Sequence, residues 1–453
     1  MDFFGSSNAD EILSKVPVPV FEILNQIFKA GFDAFPVGGC VRDLLMDKSV
    51  TDWDITTDAL PEQVMKLFPK VIPTGMAHGT VTVVQQSLPV EVTTFRTETS
   101  YSDGRHPDQV KFVRNLDEDL KRRDFTMNAM ALDVRHKKII DPFCGMADLE
   151  NALIRAVGNA IERFSEDGLR PMRAIRFAAV LNFQLERDTQ EAIGKSIEIF
   201  KTVAMERIRQ ELVKLLAGKD PVKGIELLRN AGMLDHVLPG LTGGVGHEQN
   251  KYHLHDVYRH CLASLENAHG DPVLKLAILL HDIGKPACSA GNEGEYTFYG
   301  HEKESARQAD YIMARLRFSN KERQRVVRLI ENHMFHYEPD WTDGAVRRFI
   351  RRVSMELLDD LWEMRRADAL GGGVGVEQTL AALDELRHRI EIVLQKDSAL
   401  KITDLAITGK DVMRILGKPQ GPEIGQALEI LLQKVLDDPS LNTPEKLEKL
   451  LLE

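Results

Sequence analysis

The stretch GGCVRDLLMDKSVTDWD, residues 38–54, decides the fold of the first part of the chain. Its two glycines, Gly38 and Gly39, follow the short apolar run FDAFPV and open a predicted helix. Backbone N–H groups can approach an anionic ligand there, and the helix dipole favours negative charge. Asp52 and Asp54 are two residues apart, a spacing that puts both carboxylates on one face of an extended segment. The stretch therefore predicts a strand–helix–strand unit in which an anion site lies beside paired acids.

Paired carboxylates on one face hold hard divalent ions such as Mg²⁺, which clamp a triphosphate and activate an attacking oxygen. Glu91, on a neighbouring predicted strand, is a third candidate acid, and Arg42, one turn into the predicted helix, can face a phosphate. A lone GG pair is usually a turn, and a lone DxD is usually a solvated loop. Their combination at strand–helix–strand spacing is much rarer, so we predict a catalytic, Mg²⁺-binding set of Asp52, Asp54 and Glu91.

The apolar pattern predicts two regions of different secondary structure along the chain. Residues 31–145 contain runs rich in β-branched residues, including a hairpin predicted to turn at Leu88-Pro89, and indicate a small α/β domain with a mixed sheet. From about residue 146 nearly every segment has a 3.6-residue apolar period, which indicates helices. Glycine-rich pieces at 241–250 and 370–377 are predicted linkers.

The fold class that follows is α+β: a head with a small mixed sheet, then helical regions. We predict a head at residues 20–145, a helical neck at 146–245, a further all-α domain at 251–370 and a helical tail at 378–453.

The segment EDGLRPMRAIRF, residues 166–177, carries charges spaced by three. This spacing places Asp167, Arg170, Arg173 and Arg176 on one side of a predicted helix. An aspartate with an arginine offers an acceptor and bidentate donors to the edge of a base, and the remaining arginines can meet a triphosphate. A solvated amphipathic helix is the alternative interpretation.

A second group of side chains lies at helix positions in the later part of the chain. Neutral imidazole and carboxylate together suit transition metals such as Mn²⁺, Co²⁺, Ni²⁺ or Zn²⁺. A lone histidine at an apolar helix end is usually structural, but this many together more often bind a metal. The candidate groups lie in HDVYRH (255–260), HDIGK (281–285), GHEKE (300–304), NH (332–333) and ADA (367–369).

The motifs of the first half resemble those of the class II tRNA nucleotidyltransferases and bacterial poly(A) polymerases. The resemblance rests on GGCVRD, DWD, HGTVTV, VEVTTFRTE, KRRDFTMNAMA, DPFCG, EDGLRPMRAIRF and ERIRQELVKLL, in order over about residues 20–240. It implies a polymerase-β-like head and template-independent addition to the tRNA 3′ end, using CTP and ATP with Mg²⁺. It also implies nucleotide binding by Gly38, Gly39, Arg42 and Arg123, and a head–neck junction fixed by Asp124.

The histidine-rich segment resembles the HD superfamily of metal-dependent phosphohydrolases, whose pattern is H…HD…D. By position the resemblance implies that His260 is the first ligand, His281 and Asp282 are the doublet, and Asp368 is the last. His301 and His333 match extra histidines of some members, which take part in a second metal site or in phosphate contact, and Lys285 can meet a phosphate. The resemblance implies cyclic phosphodiesterase, 2′-nucleotidase or phosphatase activity. A helical scaffold with vestigial metal binding is the alternative. The tail, from 378, is predicted to form helix, glycine turn and helix, either as a packing hairpin or as a tRNA contact.

Four activities share the head motifs: CCA addition, CC addition, A addition and poly(A) tailing. The acidic tail disfavours poly(A) tailing, and the full-length loop between Arg96 and Val110 disfavours CC addition. CCA addition is preferred, with addition of the terminal A alone as an open alternative. A nucleotide phosphohydrolase with a non-catalytic head and a non-catalytic RNA-binding regulator are the alternatives of a different class.

Composition limits the partners and the compartment. The chain has 453 residues and a net charge of −11, which argues against indiscriminate nucleic-acid binding but not against a local basic site. Four dispersed cysteines and the absence of a signal peptide or an apolar run of membrane-spanning length predict a cytoplasmic protein without a membrane partner. The oligomeric state stays open. The basic residues expected to meet phosphate are Arg42, Arg122, Arg123, Arg170, Arg173, Arg176 and Arg207.

Overall fold

The computed structural model describes residues 8–99, 109–249, 254–291, 296–396 and 400–453. The chain divides into two compact units, Met1–His236 and Val237–Glu453. The mixed α+β class predicted from the sequence is confirmed. The finer division into head, neck, metal-binding domain and tail stays a prediction.

The first part of the first unit alternates helices and strands. Its elements are α1 (Asn8–Ser14), α2 (Val18–Lys29), β1 (Ala34–Pro36), α3 (Gly39–Leu45), β2 (Trp53–Thr57), α4 (Pro61–Leu67), β3 (Val71–Gly75), β4 (Thr80–Gln85), β5 (Leu88–Thr94), β6 (Arg96–Thr99), β7 (Gln109–Phe112), α5 (Leu116–Lys121), β8 (Ala131–Asp133) and β9 (Lys138–Ile140). Five strands form one sheet in the order β1-β2-β5-β4-β3. Only β2 and β5 pair in parallel, so the sheet is mixed, as predicted.

The hairpin between β4 and β5 turns two residues earlier than the sequence predicts. Gln86 and Ser87 form the turn, with φ of 48° and 69°, and Leu88 and Pro89 already belong to β5. The prediction of a Leu88-Pro89 turn is therefore wrong. Pro89 is tolerated in the strand because β5 pairs with β2 only from Val90 onward, so the missing N–H leaves no hydrogen bond to β2 unmade.

The remainder of the first unit is mostly helical. It comprises α6 (Gly145–Glu150), β10 (Leu153–Ile154), α7 (Ala160–Glu166), α8 (Arg170–Leu181), β11 (Gln184–Leu185), α9 (Arg187–Lys195), α10 (Ile197–Phe200), α11 (Met205–Leu216) and α12 (Pro221–Asn230). The short strands β10 and β11 pair in parallel, a departure from the all-helical expectation. Helix α8 packs against both α11 and α12. Most of its side chains are therefore buried among the helices of this part of the unit.

The described part of the second unit is built from helices. They are α13 (Leu234–Val237), which crosses the boundary, α14 (Val257–Glu266), α15 (Pro272–Leu280), α16 (Lys285–Cys288), α17 (His301–Arg315), α18 (Asn320–Asn332), α19 (Asp343–Val353), α20 (Leu358–Gly372), α21 (Val376–Gln395), α22 (Gly409–Leu416), α23 (Pro422–Asp437) and α24 (Pro444–Leu452). Helix α14 packs on α15 and α20, and α17 packs on α18.

Two predicted breaks in the second unit differ in outcome. The glycine-rich linker at 370–377 is shorter than expected, because α20 continues through Gly372 and α21 starts at Val376. The glycine turn of the tail is confirmed, since α22 ends at Leu416 and is followed by Gly417, which has φ +64°, before α23 begins. The tail helices enclose their own apolar cluster. Among the described residues no helix is both long and apolar enough to cross a bilayer.

Candidate functional site

The glycine pair lies where β1 leads into α3. Gly38 has φ +79°, a backbone conformation that favours glycine, and Gly39 is the first residue of α3. A Cβ at Gly38 would lie 2.7 Å from Nη1 of Arg123. The glycine therefore lets that guanidinium lie directly against the backbone turn, and the structure places a cation where the sequence predicts an anion-binding turn.

The predicted acids lie on the adjacent strands of the sheet. Asp54 in β2 and Glu91 in β5 are paired residues of the parallel ladder, so their side chains project from the same face. Asp52 immediately precedes β2 and is exposed. Burial raises the pKa of Asp54 to about 6, against the opposing charge of Arg123 and with added repulsion from Glu91 and Asp52. Such a set of hard oxygen donors fits a divalent cation, whose charge would relieve the repulsion.

Arg42 is held by three hydrogen bonds to two residues. It donates from Nε and Nη2 to Asp43 at 2.9 Å each, and from Nη1 to Oδ1 of Asn128 at 2.8 Å. Its Cζ lies 5.2 Å from the ring centroid of Phe177 in α8. The sequence contains Asn128 within the FTMN motif but gives no signal for this contact, because the two residues are 86 positions apart.

Asp119 was not predicted, and it anchors the two adjacent arginines. Its fully buried carboxylate accepts hydrogen bonds from Nε of Arg122 at 2.9 Å and from Oγ1 of Thr56 at 3.1 Å, and lies 3.5 Å from Nη2 of Arg123. Burial would raise the pKa of Asp119, but Arg122 and Arg123 outweigh it and lower the pKa. The signal in the sequence is an acid placed three and four residues before two arginines at helical spacing.

Asp167 does not share a helix with the arginines that follow it, so that expectation is wrong. Helix α7 ends before Asp167 and α8 begins after it. The turn is packed closely, since a Cβ at Gly168 would lie 2.6 Å from the carbonyl oxygen of Ile199. Arg207 in α11 holds both carboxylate oxygens of Asp167, at 3.1 and 2.7 Å.

Arg170 is bound through its side chain to groups other than Asp167. It is 8% exposed, pairs with Glu166, and donates to the backbone oxygens of Arg163 and Arg122 at 2.7 and 3.2 Å. The two groups predicted to recognise a base are therefore each oriented by a separate partner, and base recognition by them stays a prediction.

Arg173 and Arg176 are bound to carboxylates of the same unit. Arg173 donates from Nε and Nη2 to Asp124 at 2.8 and 2.6 Å, and Arg176 donates from Nε to Glu211 at 2.5 Å. Asp124 thus joins the segment after α5 to α8, and its role at a head–neck junction stays a prediction. Glu211 was missed, although its position on the apolar side of the ERIRQELVKLL helix was a signal. Contact of either arginine with a triphosphate stays a prediction.

The loop predicted between Arg96 and Val110 lies partly outside the described residues, which exclude positions 100–108. Its two ends form the antiparallel pair β6 and β7, with Arg96 opposite Phe112. The ring of Phe112 lies against Gly79, where a Cβ would meet it at 2.6 Å. The base of the loop is therefore packed onto the sheet that carries the acids.

A second group of ionisable side chains is gathered in the second unit. His260 lies in α14, His281 and Asp282 directly follow α15, and Asp368 lies in α20. Nε2 of His260 is 3.2 Å from Nε2 of His281, 3.2 Å from Oδ2 of Asp282 and 3.1 Å from Oδ1 of Asp368. The four residues predicted from the H…HD…D pattern are therefore brought together.

Two more histidines approach the other oxygen of the same aspartate. Nε2 of His301 lies 3.2 Å and Nε2 of His333 lies 3.7 Å from Oδ1 of Asp282. In each of three histidines Nδ1 contacts the carbonyl oxygen three residues earlier, at 2.7 or 2.8 Å, which leaves Nε2 directed into the cluster. That arrangement is typical of metal-binding imidazoles. The contacts are His281 with Ile278, His301 with Phe298, and His333 with Ile330.

The charges of this cluster also fit a cation. Burial would lower the pKa of His281, but Asp282 and Asp368 outweigh it and raise it to about 10. Lys285 lies 2.6 Å from Oδ2 of Asp282 and donates to Gln249 at 2.7 Å. The mixture of buried imidazole and carboxylate donors suits a transition metal.

Two residues around the cluster were not predicted. Gln249 orients Lys285, and Arg365 pairs with the outer oxygen of Asp368. Gln249 is one of several polar residues in its segment, and Arg365 is one of two adjacent arginines in α20, so neither is distinguished in the sequence.

Comparison with known protein families gives three matches. Residues 34–155 match the "Poly A polymerase head domain". Residues 182–243 match the "Probable RNA and SrmB- binding site of polymerase A". Residues 298–451 match "tRNA nucleotidyltransferase domain 2 putative". The head match includes the glycine turn, the acids and the arginine pair described above.

The CCA-adding enzyme of Geobacillus stearothermophilus is 35% identical over 435 residues, which cover 95% of each chain. The CCA-adding enzyme of Lactobacillus delbrueckii is 48% identical over 231 residues, but the match spans only 58% of that protein and 51% of this chain. The crystal structure of the Bacillus stearothermophilus CCA-adding enzyme in complex with CTP superposes with a TM-score of 0.72 at 30% identity, over 96% of both chains. The Thermotoga maritima CCA-adding enzyme, complexed with tRNA, has the same fold at 20% identity and a TM-score of 0.58, over 98% of both chains.

Proposed function

The chain belongs to the class II tRNA nucleotidyltransferase family, and we propose that it adds CMP and AMP, taken from CTP and ATP, to the 3′ end of tRNA. The observation that carries the proposal is the likeness to a CCA-adding enzyme over 95% of both chains. The pairing of Asp54 with Glu91 beside the glycine turn supports it, because a carboxylate set next to an anion site is what nucleotidyl transfer requires.

In this proposal Asp52 and Asp54 would hold Mg²⁺, which offsets the charge of the triphosphate and activates the tRNA 3′-hydroxyl. Glu91 adds negative charge on the same face of the sheet. The hydroxyl oxygen would give up its proton to solvent and form a bond to the α-phosphorus, the bond from that phosphorus to the oxygen bridging to the β-phosphate would break, and pyrophosphate would leave. Arg42 and Arg123 would bind phosphate oxygens beside the glycine turn.

Base choice is assigned to Asp167 and Arg170. A carboxylate accepts from an exocyclic amine, and a guanidinium donates to ring nitrogen or carbonyl acceptors, so the pair can distinguish base edges. Arg207 and Glu166 would hold these two groups in place before the nucleotide enters. Arg173 and Arg176 would bind the triphosphate. Asp124 accepts a hydrogen bond from Arg173, and Glu211 accepts one from Arg176.

Incorporation of labelled nucleotides tests this function. A tRNA lacking its 3′ end is incubated with Mg²⁺ and with CTP or ATP, and a tRNA ending in CC is incubated with ATP. Incorporation of both nucleotides is expected, whereas AMP addition to tRNA ending in CC alone would make the protein an A-adding enzyme. The double variant Asp52→Ala, Asp54→Ala should lose addition, and Asp47→Asn, an exposed acid nearby, should keep it. Residual addition by the double variant would refute the metal assignment.

We also propose a second activity, the hydrolysis of phosphoesters with a transition metal. The residues that would hold the metal are His260, His281, Asp282 and Asp368. The convergence of imidazole Nε2 atoms and carboxylates on one buried point favours it. Such a metal would supply an activated water and offset negative charge on the phosphoester. Lys285, next to Asp282, would bind a phosphate oxygen. The proposed arrangement is thus a transferase head and neck at 20–145 and 146–245, a phosphohydrolase domain at 251–370 and a tail at 378–453.

Metal content and hydrolysis test the second activity separately. The purified protein should bind Mn²⁺, Co²⁺, Ni²⁺ or Zn²⁺ and hydrolyse 2′,3′-cyclic nucleotides, 2′-nucleotides or phosphomonoesters. Asp282→Asn should lose both the metal and hydrolysis while keeping tRNA addition. His336→Gln, an exposed histidine outside the cluster, is the matched control. Metal-independent hydrolysis, or hydrolysis that survives in Asp282→Asn, would refute this assignment.

A further inference from the structure

Three guanidinium groups surround one buried aromatic ring in the first unit. The ring is that of Phe177 in α8, which is 5% exposed. The Cζ atoms of Arg176, Arg42 and Arg173 lie 3.7, 5.2 and 5.6 Å from its centroid. The faces of an aromatic ring are electron-rich and attract a cation within about 6 Å, more strongly where water is excluded.

Each of the three guanidinium groups also donates to a hydrogen-bond acceptor other than the ring. Their shared contact is therefore the ring of Phe177. The acceptors are Asp43 and Asn128 for Arg42, Asp124 for Arg173, and Glu211 for Arg176. Three positive charges therefore lie near one ring, and each is also paired with a carboxylate. The electron-rich ring in the middle reduces the repulsion among them.

The orientation of this ring is itself fixed. Phe125, which is fully buried, meets it edge-on, with centroids 5.7 Å apart and ring planes at 82°. Phe125 directly follows Asp124, the acceptor for Arg173. Phe177, in α8, thus contacts two other parts of the unit: helix α3 through Arg42 and the segment after α5 through Phe125.

We propose that Phe177 is a positioning residue for nucleotide binding, which holds the guanidinium of Arg42 at a fixed place relative to α8. This inference rests on the proposed function, in which Arg42 binds phosphate and the start of α8 carries a base-recognition residue. The spacing between a nucleotide's phosphates and its base is set by the ligand. A ring that contacts the phosphate-binding arginine and belongs to the base-recognition helix therefore favours simultaneous binding of the phosphates and the base of one nucleotide.

Phe177→Leu removes the aromatic faces and keeps a large apolar side chain. We expect the KM for both CTP and ATP to rise about tenfold, because a desolvated cation–π contact is worth about the free energy that corresponds to one decade in affinity. The kcat should change much less. Phe177→Tyr keeps the ring and should restore KM. Phe183→Leu is the matched control, because Phe183 is 7% exposed in the same unit and no described guanidinium stacks on its ring.

A double-substitution cycle separates positioning from general destabilisation. The Kd of CTP is measured by equilibrium dialysis with the full-length protein, which requires no tRNA and no turnover. Phe177→Leu should raise this Kd about tenfold in the native background and less than about twofold in Arg42→Ala. Equal factors in the two backgrounds, or equal KM values for Phe177→Leu and Phe183→Leu, would overturn the inference. Failure of the native protein to incorporate nucleotides would instead overturn the proposed function, since CTP binding is measured independently.

Discussion

Removal of the charge on Asp124 should destabilise the first unit without unfolding it. Asp124 accepts two hydrogen bonds from Arg173 and two further bonds, from the backbone N–H of Phe125 at 2.9 Å and from Nδ2 of Asn128 at 3.2 Å. In Asp124→Asn the last two can persist, but the amide N–H₂ now faces a guanidinium that has no acceptor at that place. Loss of one partner of a buried ion pair costs about 3–5 kcal/mol. Because the side chain of Arg173 is 31% exposed, solvent reduces this to about 2 kcal/mol.

The corresponding fall in melting temperature is about 4 to 8 °C for a unit of this size, measured by calorimetry at pH 7. Burial alone would raise the pKa of Asp124, but Arg173 outweighs it and holds the pKa far below its usual value. A carboxylate with a lowered folded-state pKa stabilises the protein above its unfolded-state pKa of about 3.9 and loses that stabilisation as the pH falls. The difference between the native protein and the variant should therefore shrink between pH 5 and pH 3.

Glu118→Gln is the control for this experiment, because Glu118 is an exposed acid in the preceding helix. It should melt within about 1 °C of the native protein, as surface substitutions usually do. A melting temperature of Asp124→Asn equal to that of the control, or a difference that does not shrink on acidification, would refute the stability assigned to this ion pair.

Two further substitutions and one labelling experiment test local features of the head. Gly38→Ala should raise the KM for nucleotides and lower the melting temperature, because φ is +79° and the new Cβ would meet Arg123 at 2.7 Å, whereas Gly39→Ala, with 3.7 Å to its nearest neighbour, should change both much less. Equal effects of the two would contradict this account of the turn. A thiol reagent at pH 8 should modify the exposed Cys144 in the folded protein and spare Cys40, since burial raises the pKa of Cys40 to about 11. Mass spectrometry locates the label, and modification of Cys40 at the same rate would show that this core opens readily.

The parts of the molecule that the sequence predicts correctly depend on local spacing. The β-branched run that contains Glu91 predicts β5, and the DWD segment predicts an extended strand, so the neighbouring positions of Asp54 and Glu91 on β2 and β5 follow from local patterns. Asp52 lies just before β2, and the shared face of its carboxylate with that of Asp54 stays a prediction. The same kind of local rule fails at Asp167, because a spacing of three also suits a turn before a helix. The close approach at Gly168 that breaks the helix involves Ile199, a residue far along the chain.

The contacts that orient the site residues could not be predicted for a related reason. Arg207 holds Asp167 from 40 positions away, and Asn128 holds Arg42 from 86 positions away. A charged residue on a helix surface is usually solvated, so its presence does not reveal its partner. Only the packing of α8 against α11 decides that Asp167 faces Arg207 and that Arg176 faces Glu211.

The histidine cluster was predicted from much more widely separated residues, because they match the H…HD…D pattern of a known superfamily and because an energetic argument favours such a cluster. Burial of an unpaired ionisable group is costly, so histidines and aspartates at the ends of apolar helices indicate a site where they compensate one another or bind a metal. The four predicted histidines approach Asp282, and Asp368 contacts two of them, His260 and His281. Gln249 and Arg365 escaped prediction because an amide or an arginine beside a helix is ordinary on any protein surface. Their roles depend on Lys285 and Asp368, and therefore become visible only after the ligand residues have been placed.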